Sequence, residues 1–235
     1  MIGEKSIIGE TKKIVSSLIF LSIIGFIMII FRIFTQGKIT FAFLVWNLFL
    51  AWIPFIVSSM MEYISTTKKY GMKKCISMLG LGFIWLIFYP NAPYIVTDII
   101  HLSNYNYYAP LDHAVGFSSS FIIWYDFILV MLFVFTGYIL GHISLYTVHK
   151  MIERTYKKTI GWIFVFIVSI LSGFAIYLGR FLRLNSWEIV SNPSGILKRM
   201  FGSMDIMTLK FTLLFGGFIF LVYMAMHGLS FMKKE

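Results

Sequence analysis

Between Tyr89 and Leu102 the chain reads Tyr-Pro-Asn-Ala-Pro-Tyr-Ile-Val-Thr-Asp-Ile-Ile-His-Leu. An acid, Asp98, and an imidazole, His101, stand close to Asn91 and Tyr94 inside an otherwise apolar setting. Residues of these types can do three kinds of work. Asp98 or His101 could act as a general base. Asp98 and His101, with Asp112 and His113 further on, are ligands that suit zinc or manganese. Asp98 could instead pair with a distant arginine. Against these stands a plain reading, in which Asp98 caps or pairs locally and His101 rests at an interface. Two more segments carry groups of the same kind. Trp124-Tyr-Asp126 puts a carboxylate inside an apolar run, where it costs roughly 2.5–3.5 kcal/mol unless it is paired. Tyr177-Leu-Gly-Arg-Phe-Leu-Arg-Leu-Asn-Ser-Trp187 offers Arg180 and Arg183, three apart, with Asn185 and Trp187 after them. An arginine fork fits a carboxylate or a phosphate. Snorkelling to headgroups, with Trp187 as an anchor, is the simpler use of the same residues.

The elements that must position these groups follow from composition. Hydrophobic residues are 59% of the 235 and charged ones only 13%, too few to cover a water-exposed surface. The chain is expected to be all-α, a polytopic transmembrane helical bundle of about six spans. They fall near 14–34, 40–61, 75–90, 119–145, 160–181 and 209–231, each able to cross about 30 Å of hydrocarbon. A single integral membrane domain, 1–235, accommodates them. Lys12 and Lys13 precede an apolar run too long for a signal peptide, so a retained first span is expected. Pro90 stops the third span, because proline lacks the amide donor and blocks the preceding turn. A broken helix is expected after it, with Asn91 as N-cap and Pro93 in the first turn. An α-helix over 93–102 would place Tyr94, Asp98 and His101 on one face. Asn185 and Glu188 have the spacing of a capping box. The segment 188–208 reads as an interfacial amphipathic helix before span six. Gly137 with Gly141 and Ser169 with Gly173 permit close helix approach. His142 and His149 read as interfacial. Cys75 is the single cysteine, which excludes an intrachain disulfide.

Basic residues orient such a bundle. Six spans put thirteen of the twenty Lys and Arg on the face of the N-terminus. Both termini are then cytoplasmic in a bacterial plasma membrane. Arg180 and Arg183 fall on the disfavoured face, near Asp98 and Asp126. One outward-facing pocket uniting Asp98, His101, Asp126, Arg180 and Arg183 is therefore expected. A seventh crossing at 92–103 would reverse the C-terminal half.

The stretch Pro90–Leu102, the Trp124-Tyr-Asp126 triplet and Gly179–Trp187, in that order, resemble a bacterial family of unknown function, the one numbered thirteen sixty-one. The resemblance implies a multi-pass membrane protein of about this size and unites the three segments as one unit. It implies no activity.

The net charge of +10 suits anionic headgroups and need not mean nucleic acid, so no nucleic-acid partner is expected. The chain carries no phosphate-binding loop, nucleophile elbow, zinc-protease motif or dinucleotide fingerprint, and it names no cofactor. Three functions remain: an anionic solute or lipid headgroup bound or transported through Arg180 and Arg183; a membrane-embedded enzyme acting on a lipid-linked or envelope substrate, with a metal as an option; or polar groups that only brace the bundle.

Overall fold

The structure, a computed structural model, describes residues 12–69, 71–111, 114–184, 191 and 193–229. Six helices are long and apolar enough to cross a membrane. The first, α1, runs Lys12–Gln36 and α2 runs Ala42–Thr67. Next comes α3, Met72–Phe88, followed by a single α-turn, α4, over Asn91–Tyr94. A 3-10 helix, Ile95–Asn104, continues from it. A two-stranded antiparallel hairpin, β1 Tyr108–Leu111 and β2 Ala114–Phe117, follows in register Tyr108 to Phe117. The longest helix is α5, Phe121–Thr155, and α6 is Lys158–Phe181. A short α7, Pro193–Gly202, precedes α8, Ile206–Leu229. The bundle is all-α in architecture, and the small hairpin decorates one loop.

Lipid tails are as apolar as leucine side chains, so close packing and buried hydrogen bonds must hold these helices together. The outer faces present Phe20, Ile23, Phe26, Leu79 and Leu214 outward. The centre is α5, whose buried positions run from Asp126 to Met151. It extends ten residues past the expected 145, because nothing between His142 and Thr155 is a proline or glycine and the stretch stays packed. Pro54 lies inside α2. Its carbonyl accepts a hydrogen bond from Ser144 Oγ of α5 at 2.8 Å. The same Ser144 Oγ accepts from Trp85 Nε1 of α3 at 2.8 Å. One hydroxyl thus ties three helices with all partners buried, as a medium without water requires.

The break after α3 takes a form the sequence does not reveal. Asn91 begins α4 instead of capping it, and its Nδ2 donates back to the Phe88 carbonyl at 2.9 Å. The continuation winds as a 3-10 helix, where residues three apart eclipse one another. Asp98 and His101 therefore stand one above the other. The broken turn leans on α5 through the two glycines. A Cβ at Gly141 would stand 2.7 Å from the Ala92 Cβ, and one at Gly137 would stand 3.0 Å from Ile95. The α6–α8 pair is equally close, with a Gly173 Cβ falling 2.6 Å from the Gly216 nitrogen. Cys75 is exposed near the start of α3.

Two faces result. One carries the α2–α3 and α5–α6 turns and is here termed the N-terminal face. The opposite face carries the α1–α2 turn, the 89–120 segment and the end of α6. Gly141→Ala is expected to destabilise the protein by about 1–3 kcal/mol through overpacking. Gly80→Ala meets nothing within 4 Å and serves as the neutral reference. Thermal unfolding in detergent measures both, and equal melting temperatures would refute the close-approach role of Gly141.

Candidate functional site

On the opposite face two carboxylates are fully buried, and each is held by a different arginine. Asp98 stands on the 3-10 helix with no exposed surface. Its Oδ1 accepts from Arg180 Nη2 at 2.7 Å, and its Oδ2 accepts from Asn47 Nδ2 of α2 at 2.7 Å. Arg180, in the last turn of α6, also donates from Nε to Thr97 Oγ1 at 3.0 Å. Its guanidinium lies 4.6 Å from the centre of the Tyr94 ring. This cation–π contact covers one face of the charge. Together these contacts fasten the broken segment to α2 and α6.

Asp126 is gripped in a second, separate arrangement. Arg32, near the end of α1, donates from Nε to Oδ1 at 2.6 Å and from Nη2 to Oδ2 at 2.9 Å. The pair is bidentate, the strongest geometry for arginine and carboxylate. Arg32 Nη1 donates to Thr40 Oγ1 at 3.1 Å, and Nη2 reaches the Tyr105 hydroxyl at 3.2 Å. That hydroxyl donates onward to Asp126 Oδ2. Burial first, and the carboxylate beside it second, push the Tyr105 phenol above its ordinary range, so it stays a donor. Phe41 stacks under the Arg32 guanidinium at 5.0 Å.

The expected single pocket of five residues is thus divided. Asp98 and Arg180 meet directly. Asp126 does not join them, because Arg32 from the first span takes both of its oxygens. His101 is half-buried and packs at a tilt against Phe43, 4.6 Å between ring centres. Asn185, Trp187, Asp112 and His113 lie outside the described residues. Among the described residues no group of three His, Cys, Asp or Glu side chains stands close enough to hold a metal.

Arg183 goes elsewhere. It adopts a left-handed backbone conformation, φ +54°, just past the end of α6. The Leu184 amide reaches back to the Leu178 carbonyl at 3.2 Å to close that end. A residue other than glycine costs roughly 1–2 kcal/mol in this region. Among the described residues Arg183 makes no hydrogen bond or ion pair. It lines a cleft of about 590 Å³ between α2, α3 and α6, with Asn47, Asn91 and Tyr94 on the polar side. Leu86, Leu171 and Phe174 line the apolar side, and Met200 of α7 borders it. Asn47 and Tyr94 belong both to this cleft and to the Asp98–Arg180 arrangement.

Sequence reasoning missed Arg32, Asn47 and Tyr105 as members of these arrangements. A signal for Arg32 existed: it too is a basic residue on the disfavoured face, at the end of an apolar run. Asn47 is a lone amide in span two, which is itself a mark of an interhelical contact.

The Asp126–Arg32 pair gives a direct test of bracing. Asp126→Ala and Arg32→Ala are each expected to lose about 3–5 kcal/mol, because each leaves a buried charge alone. The double variant is expected to be no less stable than either single one. Additive losses in a double-mutant cycle of detergent unfolding would mean that the pair is not coupled.

Comparison with known proteins gives one match. Neither the curated proteins nor the solved structures include a match to this chain. A family described as "protein of unknown function (DUF1361)" matches residues 46–222. That range holds Asp98, Asp126, Arg180 and Arg183, and starts beyond Arg32. This multi-pass membrane protein with a buried polar cluster belongs to that family.

Proposed function

We propose that the protein binds an amphipathic molecule with an anionic head group in the cleft between α2, α3 and α6. The head meets Arg183, and the tail lies along Leu86, Leu171 and Phe174. One observation carries this reading: an arginine without a protein partner among the described residues borders a 590 Å³ cleft whose remaining wall is chiefly apolar. Its charge suits a phosphate or carboxylate. Arg180 and Arg32 are already paired with Asp98 and Asp126, so they do not compete for the ligand. The bilayer supplies such molecules, and a lipid headgroup and a free amphiphilic solute share the chemistry. We further place the protein in a bacterial plasma membrane with both termini in the cytoplasm, a reading supported by the lysine excess on the N-terminal face. The cleft then belongs to the outer half.

An embedded enzyme using Asp98 as base finds no support. Both Asp98 oxygens accept hydrogen bonds from Arg180 and Asn47, and His101 packs against Phe43.

Native mass spectrometry of the protein incubated with phosphatidylglycerol or phosphatidylcholine tests the proposal. A charge-assisted contact is worth about 1.5–3 kcal/mol. Arg183→Ala is therefore expected to weaken phosphatidylglycerol binding by about tenfold or more, with the melting temperature unchanged. A soluble alkyl phosphate competing for the adduct would identify the phosphate-bearing amphiphile, instead of the glycerolipid backbone, as the recognised unit. Equal retention of both lipids by wild type and Arg183→Ala would overturn the reading.

A further inference from the structure

The N-terminal half of the bundle holds a second buried polar array that the cleft does not use. On α5, His142, Tyr146, His149 and Glu153 follow at spacings of four, three and four, which is one helical face. Tyr223 and His227 of α8, also four apart, stand opposite them. His149 was expected at an interface, yet it is fully buried. His149 Nδ1 and the Tyr223 hydroxyl are 2.8 Å apart. On the other side of the ring, His149 Nε2 lies 3.2 Å from Glu153 Oε1. Among the described residues the two atoms are within ion-pair distance but are not aligned as a hydrogen bond. Glu153 is 13% exposed at the side chain and is the outermost member of the array.

The inner end of the array is a cavity. A space of about 10 Å³ is lined by Tyr89, Pro93, Tyr138, His142 and Tyr223. This is room for about one water. His142 lines it, and its Nδ1 is buried without a hydrogen-bond partner among the described residues. From Glu153 to His142 is about 16 Å along the helix, roughly half of the hydrocarbon thickness. The cavity lies under the broken turn, where Tyr89 and Pro93 flank the break.

An imidazole can take a proton on one nitrogen and release one from the other, and chains of carboxylate and imidazole inside membranes serve as proton relays. We propose that Glu153, His149, Tyr223 and His142 form a proton-transfer chain from the N-terminal face to the one-water cavity beneath the broken turn. A proton leaves the Glu153 carboxyl for His149 Nε2, and the proton on Nδ1 passes to the Tyr223 oxygen. The Tyr223 hydroxyl proton goes to the cavity water, and a water proton goes to His142 Nδ1. Water at the N-terminal face supplies the proton that Glu153 passes on, each group between takes one proton and gives one, and His142 ends the chain as the imidazolium, so no oxidant or reductant is needed. The groups facing the chain are Lys150 and Tyr146 on α5, Lys158 and Trp162 on α6, and His227 on α8. Lys150 Nζ donates to Glu153 Oε2 at 2.6 Å, which leaves Oε1 toward His149. This inference stands independently of the cleft.

The test uses the full chain, labelled with nitrogen-15 histidine, in lipid bilayers. The sequence has five histidines, few enough to assign. Magnetisation exchange between bulk water and the His142 and His149 ring nitrogens is measured by NMR. Wild type is expected to exchange at both rings. Tyr223→Phe keeps the ring and removes the hydroxyl, and it should slow exchange at His142 tenfold or more while His149 still exchanges. Glu153→Gln should slow both, and Glu153→Asp should restore them. Absence of water exchange at His142 in wild type overturns the chain. So does an unchanged His142 rate in both Tyr223→Phe and Glu153→Gln, since that would mean protons reach it by another route.

Discussion

A charged group in hydrocarbon must meet its opposite or not be there, and this constraint organises the whole opposite face of the bundle. Asp98 is the clearest case. It sits on a segment that leaves its helix at Pro90, and a loose end of that kind would expose backbone groups to lipid. The carboxylate prevents this by taking Asn47 from α2 and Arg180 from α6. Three elements distant in sequence are thereby fixed to one another. Asp126 does the same for α1 through Arg32. The two pairs lie on the same face, so together they hold four of the six spans.

Close packing supplies what charge pairing cannot. The α5 glycines let the broken turn approach until Ala92 touches the helix, and Gly173 and Gly216 do so for α6 and α8. Ser144 closes the N-terminal half by bonding both Pro54 and Trp85. These are short polar links between helices that have no water to satisfy them otherwise. The result is a rigid frame around a cleft, and the arginine on that cleft is the one placed by a left-handed backbone.

The separation of roles between the two neighbouring arginines follows from that geometry. Arg180 is still inside α6 and points into the bundle, where Asp98 and Thr97 take it. Arg183 comes after the helix has turned, so it faces the cleft instead. Spacing of three residues would put both on one face only if the helix continued through them. It stops at Phe181. The histidine array beneath the break meets this frame at the small cavity, which Tyr89, Pro93 and Gly141 line together with His142 and Tyr223.

Much of the fold was legible from the chain alone. Apolar length determined the six spans, and Pro90 with Pro93 determined where the third breaks. Asp126 inside an apolar run implied a partner, because an unpaired carboxylate there is too costly. The identity of that partner was decided only by tertiary structure. Arg32 lies 94 residues away, and which helix packs against α5 is set by the fit of side chains across several helices. The same holds for the 3-10 winding of Ile95–Asn104, which local spacing described as an α-helix. It holds as well for the cleft, whose walls come from three spans. Sequence records which groups need satisfaction, because that need is local chemistry. Which groups satisfy one another depends on contacts across the bundle, and those exist only once it has packed.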